Sequence, residues 1–88
     1  MSEQQDLTEA IGTITHYFGH ISVAAVSLTG ELRIGDRIRI SGHSTELDQV
    51  VESMEVEHTK VERAGPGDDV ALMVSGRVRE HDRVFRVG

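Results

Sequence analysis

Turn-forming residues break this chain about every ten positions, and the runs between them alternate apolar with polar residues or are rich in β-branched side chains. That rhythm leaves no room for an amphipathic helical stripe. It predicts an all-β domain of six or seven short strands, which must close on one another or stack in two layers to bury their apolar faces.

Ala10-Ile11-Gly12-Thr13-Ile14-Thr15-His16-Tyr17-Phe18 is rich in β-branched and aromatic residues and stops at Gly19. Ile21, Val23 and Ala25 alternate with Ser22, Ala24 and Val26 in a second run, apolar on nearly both faces, that ends at Leu28-Thr29-Gly30. Residues 31–36 make a tight approach to Arg37-Ile38-Arg39-Ile40-Ser41, where Ile38 and Ile40 share one face and Arg37 and Arg39 the other. Residues 47–56 are long for one strand and are expected to bend, with Val50, Met54 and Val56 on one face and Gln49, Val51 and Ser53 on the other. Pro66-Gly67 suits the two central positions of a type II turn that introduces a buried strand over residues 70–74. Val84-Phe85-Arg86-Val87 ends the chain in extended form, with Phe85 expected in the core. No internal repeat is evident.

A chain of 88 residues has room for one core. Residues 1–7 are expected to form a flexible N-terminal arm and residues 8–88 a single domain, present as a monomer or weak homodimer. The absence of cysteine excludes thiol nucleophiles, thiolate zinc sites and iron–sulfur clusters and fits a reducing compartment, so a cytoplasmic location is expected. The polar, acidic start lacks the charged and apolar regions of a signal peptide. No run is long and apolar enough for a membrane-spanning helix, and no membrane association is expected.

Nine Lys and Arg against fifteen Asp and Glu leave a net charge of −6, which opposes the broad cationic footprint of sequence-independent nucleic-acid binding. The charge is uneven, with an acidic middle over residues 46–69 followed by Arg77, Arg79, Arg83 and Arg86. These four arginines are the best candidate partner-binding set, because guanidinium forks suit carboxylate and phosphate ligands. Arg77 and Arg79 would share a face on a continuous strand, while the acidic segment offers internal partners instead.

Other chemistry-bearing residues have simpler readings. Gly42-His43-Ser44-Thr45-Glu46 lacks the second glycine and the strand-to-helix context of a nucleophile elbow and reads as a polar hairpin loop. His16 and His20 are spaced for metal binding only on a helix, which Gly19 and the flanking β pattern oppose. Asp68-Asp69 and Glu55-x-Glu57 read as solvated charge, since adjacent strand residues point to opposite faces. No catalytic constellation, metal site or cofactor is expected.

The order of these elements resembles a known module. Ile11-Gly12-Thr13-Ile14 opens it, residues 28–38 give a G-x-L-x-x-G-D-x-I signature, Val50-Val51-Glu52-Ser53-Met54 follows, and Ala64-Gly65-Pro66-Gly67-Asp68-Asp69-Val70 gives A-x-x-G-D-x-V. This set is similar to the β-barrel second domain of translation elongation factor Tu and related translation GTPases. The closing run Val78-Arg79-Glu80-His81-Asp82-Arg83-Val84-Phe85-Arg86-Val87 is also similar to the small terminal barrel of collagenase-like bacterial peptidases.

The resemblance implies a small, closed Greek-key β-barrel of the translation-factor domain 2 type. It implies a non-catalytic, elongation factor-like binding module for a protein or ribonucleoprotein partner of the translation machinery. The alternative is an accessory barrel subunit of a peptidase-like enzyme complex. Two departures bear on the translation reading. No G-x-x-x-x-G-K-[ST] phosphate loop occurs, so no GTP binding by this chain alone is expected. Ser53, Met54 and Glu55 stand where elongation factor Tu has acidic, methionine and aromatic residues in its aminoacyl pocket, and the missing stacking ring and added charge both disfavour RNA there.

Overall fold

A computed structural model describes residues 10–87. The expected arm over residues 1–7 lies outside the described residues. Ten strands run in chain order as β1 (Ala10–Phe18), β2 (Val23–Leu28), β3 (Leu32–Arg33), β4 (Arg37–Ser41), β5 (Glu46–Val50), β6 (Met54–Val56), β7 (Thr59–Lys60), β8 (Arg63–Ala64), β9 (Asp69–Met73) and β10 (Arg83–Val87). Eight form one sheet in the order β5-β4-β10-β1-β2-β9-β6-β7, and β3 with β8 forms a separate two-stranded ribbon.

The expected six or seven strands become ten because the run over residues 47–56 divides and residues 32–33, 59–60 and 63–64 form short strands of their own. The division lies at Val51, whose N–H donates to the Asp36 carbonyl and whose carbonyl accepts from the Gly35 N–H, each at 2.8 Å. The bend turns Val51 and Met54, expected on opposite faces, together into the core and leaves Val50 exposed. The second strand starts at Val23 rather than Ile21, because the Ile21 N–H bonds the Phe18 carbonyl at 3.2 Å in the preceding turn.

Closure by a continuous backbone ladder, which a fully hydrogen-bonded barrel would show, is not found among the described residues: β5 and β7 stand at opposite ends of the sheet. A side chain spans part of the opening. The Gln49 amide on β5 donates from Nε2 to the Met73 carbonyl at 2.8 Å and accepts at Oε1 from the Ser75 N–H at 2.8 Å. One side-chain amide thereby supplies the donor and acceptor that a neighbouring strand's backbone would offer.

Two register shifts bend β1, one between Ala10 and Gly12 against β10 and one between Ile14 and His16 against β2. Its first half places Ile14 inside and its second half exposes Thr15 and His16. The core is aliphatic, with Ile14, Leu28, Leu32, Ile38, Ile40 and Leu72 among its largest buried side chains. Phe85 is only half-buried, because the alternation of β10 assigns the inward position to Val84.

Three turns share one construction. In Arg33-Ile34-Gly35-Asp36, the Asp36 N–H donates to the Arg33 carbonyl at 3.1 Å while its Oδ2 accepts from the Arg33 N–H at 3.0 Å. Gly65-Pro66-Gly67-Asp68 repeats both bonds at 3.0 and 2.9 Å, and Arg79-Glu80-His81-Asp82 repeats them at 3.1 and 2.8 Å. The third residue takes positive φ in each, 96° at Gly35, 90° at Gly67 and 78° at His81, as a type II turn requires. Each aspartate is followed at once by a strand, β4, β9 or β10, whose second residue is the buried Ile38, Val70 or Val84. The sequence therefore does contain a short repeat, hidden where histidine replaces the third glycine.

Asp82 is the most buried of these three aspartates, only 4% exposed, and a methyl group added at Gly42 would overlap it. Replacing Asp82 with alanine strips the Arg79 N–H of its partner, and urea unfolding is expected to show a loss of about 2–3 kcal/mol. His81→Gly relieves a left-handed backbone at the cost of unfolded-chain entropy, for an expected net gain of about 0.5–1 kcal/mol in the same assay.

Candidate functional site

The structure separates the four candidate arginines. Arg77 and Arg79 do not share a strand face, because β9 ends at Met73 and both lie in the connection to β10. Val78 between them is buried, which anchors that connection to the core and directs its neighbours outward. Arg83 opens β10 on its outer side. Arg86 is committed within the fold: its Nη2 donates to the Glu31 carbonyl at 2.6 Å and its Nε lies 3.8 Å from Asp36 Oδ2. Of the expected acidic partners, Glu46 and Asp48 pair with Arg39 instead, and among the described residues Arg77, Arg79 and Arg83 form no ion pair.

A different surface gathers three of the five exposed large apolar side chains among the described residues. Register places Phe18 opposite Val23 and Val23 opposite Met73, so three neighbouring strands present one lateral row outward. Ala71 and Glu55 are paired on β9 and β6 and continue the same face. With Ile21, Ser53 and His58 they line a groove of about 460 Å³. Phe18, Ile21 and Met73 are 43%, 61% and 53% exposed. Ala71 is the smallest side chain of the lining, and Ser53, Glu55 and His58 are its polar members.

The turns beside this groove are strained. Ser22 has φ of 56°, and Glu57 and His58 have φ of 52° and 66° in the two-residue loop joining β6 to β7. Two successive positive φ values define a type I′ hairpin, for which Asn-Gly is the favoured pair. Side chains there cost about 1–2 kcal/mol per residue, and here that cost lies against an exposed apolar face. On the opposite flank the His16 ring tilts against Phe18 with centroids 4.4 Å apart, while His16 Nδ1 lies 3.3 Å from Glu80 Oε2. Sequence reasoning missed the groove. The available signal was Ile21, an apolar residue directly after Gly19-His20.

Among the described residues no group of three or more His, Asp or Glu is arranged to hold a metal ion, and no helix is long and apolar enough to cross a membrane. Gly42-His43-Ser44-Thr45 is a hairpin loop, closed by the Gly42 N–H on the Thr45 carbonyl at 3.0 Å.

The best-formed ion pair is Arg39 with Asp48, directly opposite on β4 and β5, joined by Nε to Oδ1 at 2.7 Å and Nη2 to Oδ2 at 3.1 Å. That hydrogen-bonded guanidinium holds the Asp48 carboxyl below its ordinary value, and Asp48 in turn raises Arg39. A carboxyl lowered on folding contributes its stability above the unfolded value, near pH 4, and loses it as pH falls through the folded value. The stability difference between wild type and Asp48→Asn, followed by urea unfolding at successive pH values, is therefore expected to shrink below about pH 4.

Comparison with known proteins finds both expected resemblances. No family model matches the chain. An uncharacterised protease of Methanocaldococcus jannaschii is 40% identical over 76 residues, covering 85% of this chain and 19% of that protein. A collagenase of Porphyromonas gingivalis is 36% identical over 78 residues, covering 86% of this chain and 22% of that protein. The chain thus spans about a fifth of the length of these curated relatives. The C-terminal domain of a Geobacillus thermoleovorans U32 peptidase shares the fold with a TM-score of 0.86 and 20% identity, over 91% of this chain and 93% of that one. A bacterial selenocysteine-specific elongation factor shares it with a TM-score of 0.70 and 16% identity, over 98% of this chain and 16% of that one.

Proposed function

We propose that this chain is a non-catalytic barrel module, over residues 8–88, that acts as an accessory to a U32 peptidase-like catalytic chain. The observation that carries this reading is the form of the matches. Most of the chain aligns with about a fifth of a protease and of a collagenase, and with nearly all of a peptidase's C-terminal domain. About four-fifths of each of those relatives lies outside the match. The groove at Phe18, Ile21 and Met73 is the docking face in this proposal, with Arg77, Arg79 and Arg83 as an outer contact.

The module is proposed to be a Greek-key barrel rolled shut around its core. Support comes from the Gln49 bridge and from the β3–β8 ribbon, whose following turn is tied to the segment after β5 by the Gly35 N–H on the Val51 carbonyl at 2.8 Å. A second reading, docking on a protein or ribonucleoprotein of the translation machinery in the cytoplasm, is favoured by the fold shared with the elongation factor over 98% of the chain. It is weakened by the Glu55 carboxylate in the groove, which repels a polynucleotide beside the one phenyl ring there, Phe18.

Calorimetric titration of the purified protein with a U32 peptidase-like catalytic chain from the same source separates these readings. Association is expected, and Met73→Glu should weaken it about tenfold or more by placing a charge in the groove. The double variant Arg77→Ala with Arg79→Ala should weaken it while leaving the unfolding midpoint in place. No association with the peptidase chain, together with co-sedimentation on ribosomes that persists at near-physiological salt, would reject the peptidase reading in favour of translation.

A further inference from the structure

We infer that the outer face of the β3–β8 ribbon is an anion-binding site, in which Arg33 and Arg63 together grip the carboxylates of a short acidic peptide. Leu32 pairs with Ala64 and Arg33 with Arg63, so burial of Leu32 sends both guanidinium groups to the same outward face. Directly opposed strand residues have Cβ atoms about 5 Å apart, and like charges so placed repel. Elsewhere among the described residues, directly opposed charged pairs are of opposite sign. Arg39 stands across from Asp48, and Glu55 from Lys60.

Among the described residues neither Arg33 nor Arg63 has a carboxylate within ion-pair distance. Glu62 lines the same concavity without pairing to them. The backbone beneath is firmly held: the Arg33 N–H is fixed by Asp36 Oδ2, and the Ile34 N–H by the Glu62 carbonyl. Two forks presented side by side from a fixed ribbon match a carboxylate pair, whose charge would relieve their mutual repulsion.

The concavity also contains Ile34, 40% exposed, and the half-buried Val61. Apolar contacts beside two cations suit a peptide that alternates acidic and apolar residues. A nucleic acid fits less well, since the net charge of −6 and Glu62 within the site both repel a polyphosphate. The site is distinct from the Phe18–Met73 groove and stands whether or not a peptidase is the partner docked there.

The test is an NMR titration of isotope-labelled full-length protein, observing the Nε–Hε signals of Arg33 and Arg63. Probes are an acetylated hexapeptide alternating glutamate with leucine and, separately, single-stranded hexauridine. The peptide is expected to move both signals. Arg33→Gln and Arg63→Gln should each weaken its binding at least tenfold. Arg63→Glu should abolish binding yet melt at a higher temperature than wild type, because an opposite-charge pair replaces a like pair. The inference is overturned if the peptide leaves both signals unmoved, if the glutamine variants bind it as well as wild type, or if hexauridine moves the signals at lower concentration than the peptide.

Discussion

An aspartate carboxylate that accepts the N–H of the residue three positions earlier, while its own N–H returns to that residue's carbonyl, launches β4, β9 and β10. The rest of the fold depends on this device because it fixes the phase of each strand. The residue after the aspartate faces out and the next faces in, so Ile38, Val70 and Val84 meet in the core. A slip of one residue would invert every side chain beyond the turn. With no disulfide and no large aromatic core, a chain this short relies on such local constraints to select one packing. The third copy tolerates histidine at the left-handed position because Asp82 and the His81 N–H on the Ile14 carbonyl hold that turn from both sides.

With the strand phases set, the outward face becomes the variable part. Peptidase and elongation-factor proteins share this all-β fold, so the fold alone does not state a function. Distinctive features lie where local rules are broken. Phe18, Ile21 and Met73 lie exposed together, Glu57 and His58 occupy a turn suited to Asn-Gly, and Arg33 opposes Arg63. Each departs from what stability alone favours, and each lies on the surface, where a partner can compensate it.

Much of the architecture was legible from residue patterns. The bounds of β1 and β4, the bend within residues 47–56 and the Pro66-Gly67 turn all follow from alternation and turn chemistry. Less legible were positions that depend on a neighbouring strand. Val50 and Val51 are chemically alike, and only the two bonds from Val51 to the first aspartate turn decide which one enters the core. Arg77 and Arg79 read as a strand pair, but Val78 anchors a loop, and Arg86 turns back to Asp36 and Glu31 instead of joining them.

Taken by itself, the amino-acid sequence determined the all-β class, most strand positions, the tight turns and the alternation of buried and exposed residues, because φ/ψ preference and side-chain periodicity act over a few neighbouring residues. Tertiary structure decided which apolar residues stay outside, that Arg33 faces Arg63, and that the C-terminal arginines diverge. Those outcomes depend on register between strands far apart in the chain, a relation set by the packing of the common core and absent from any local pattern.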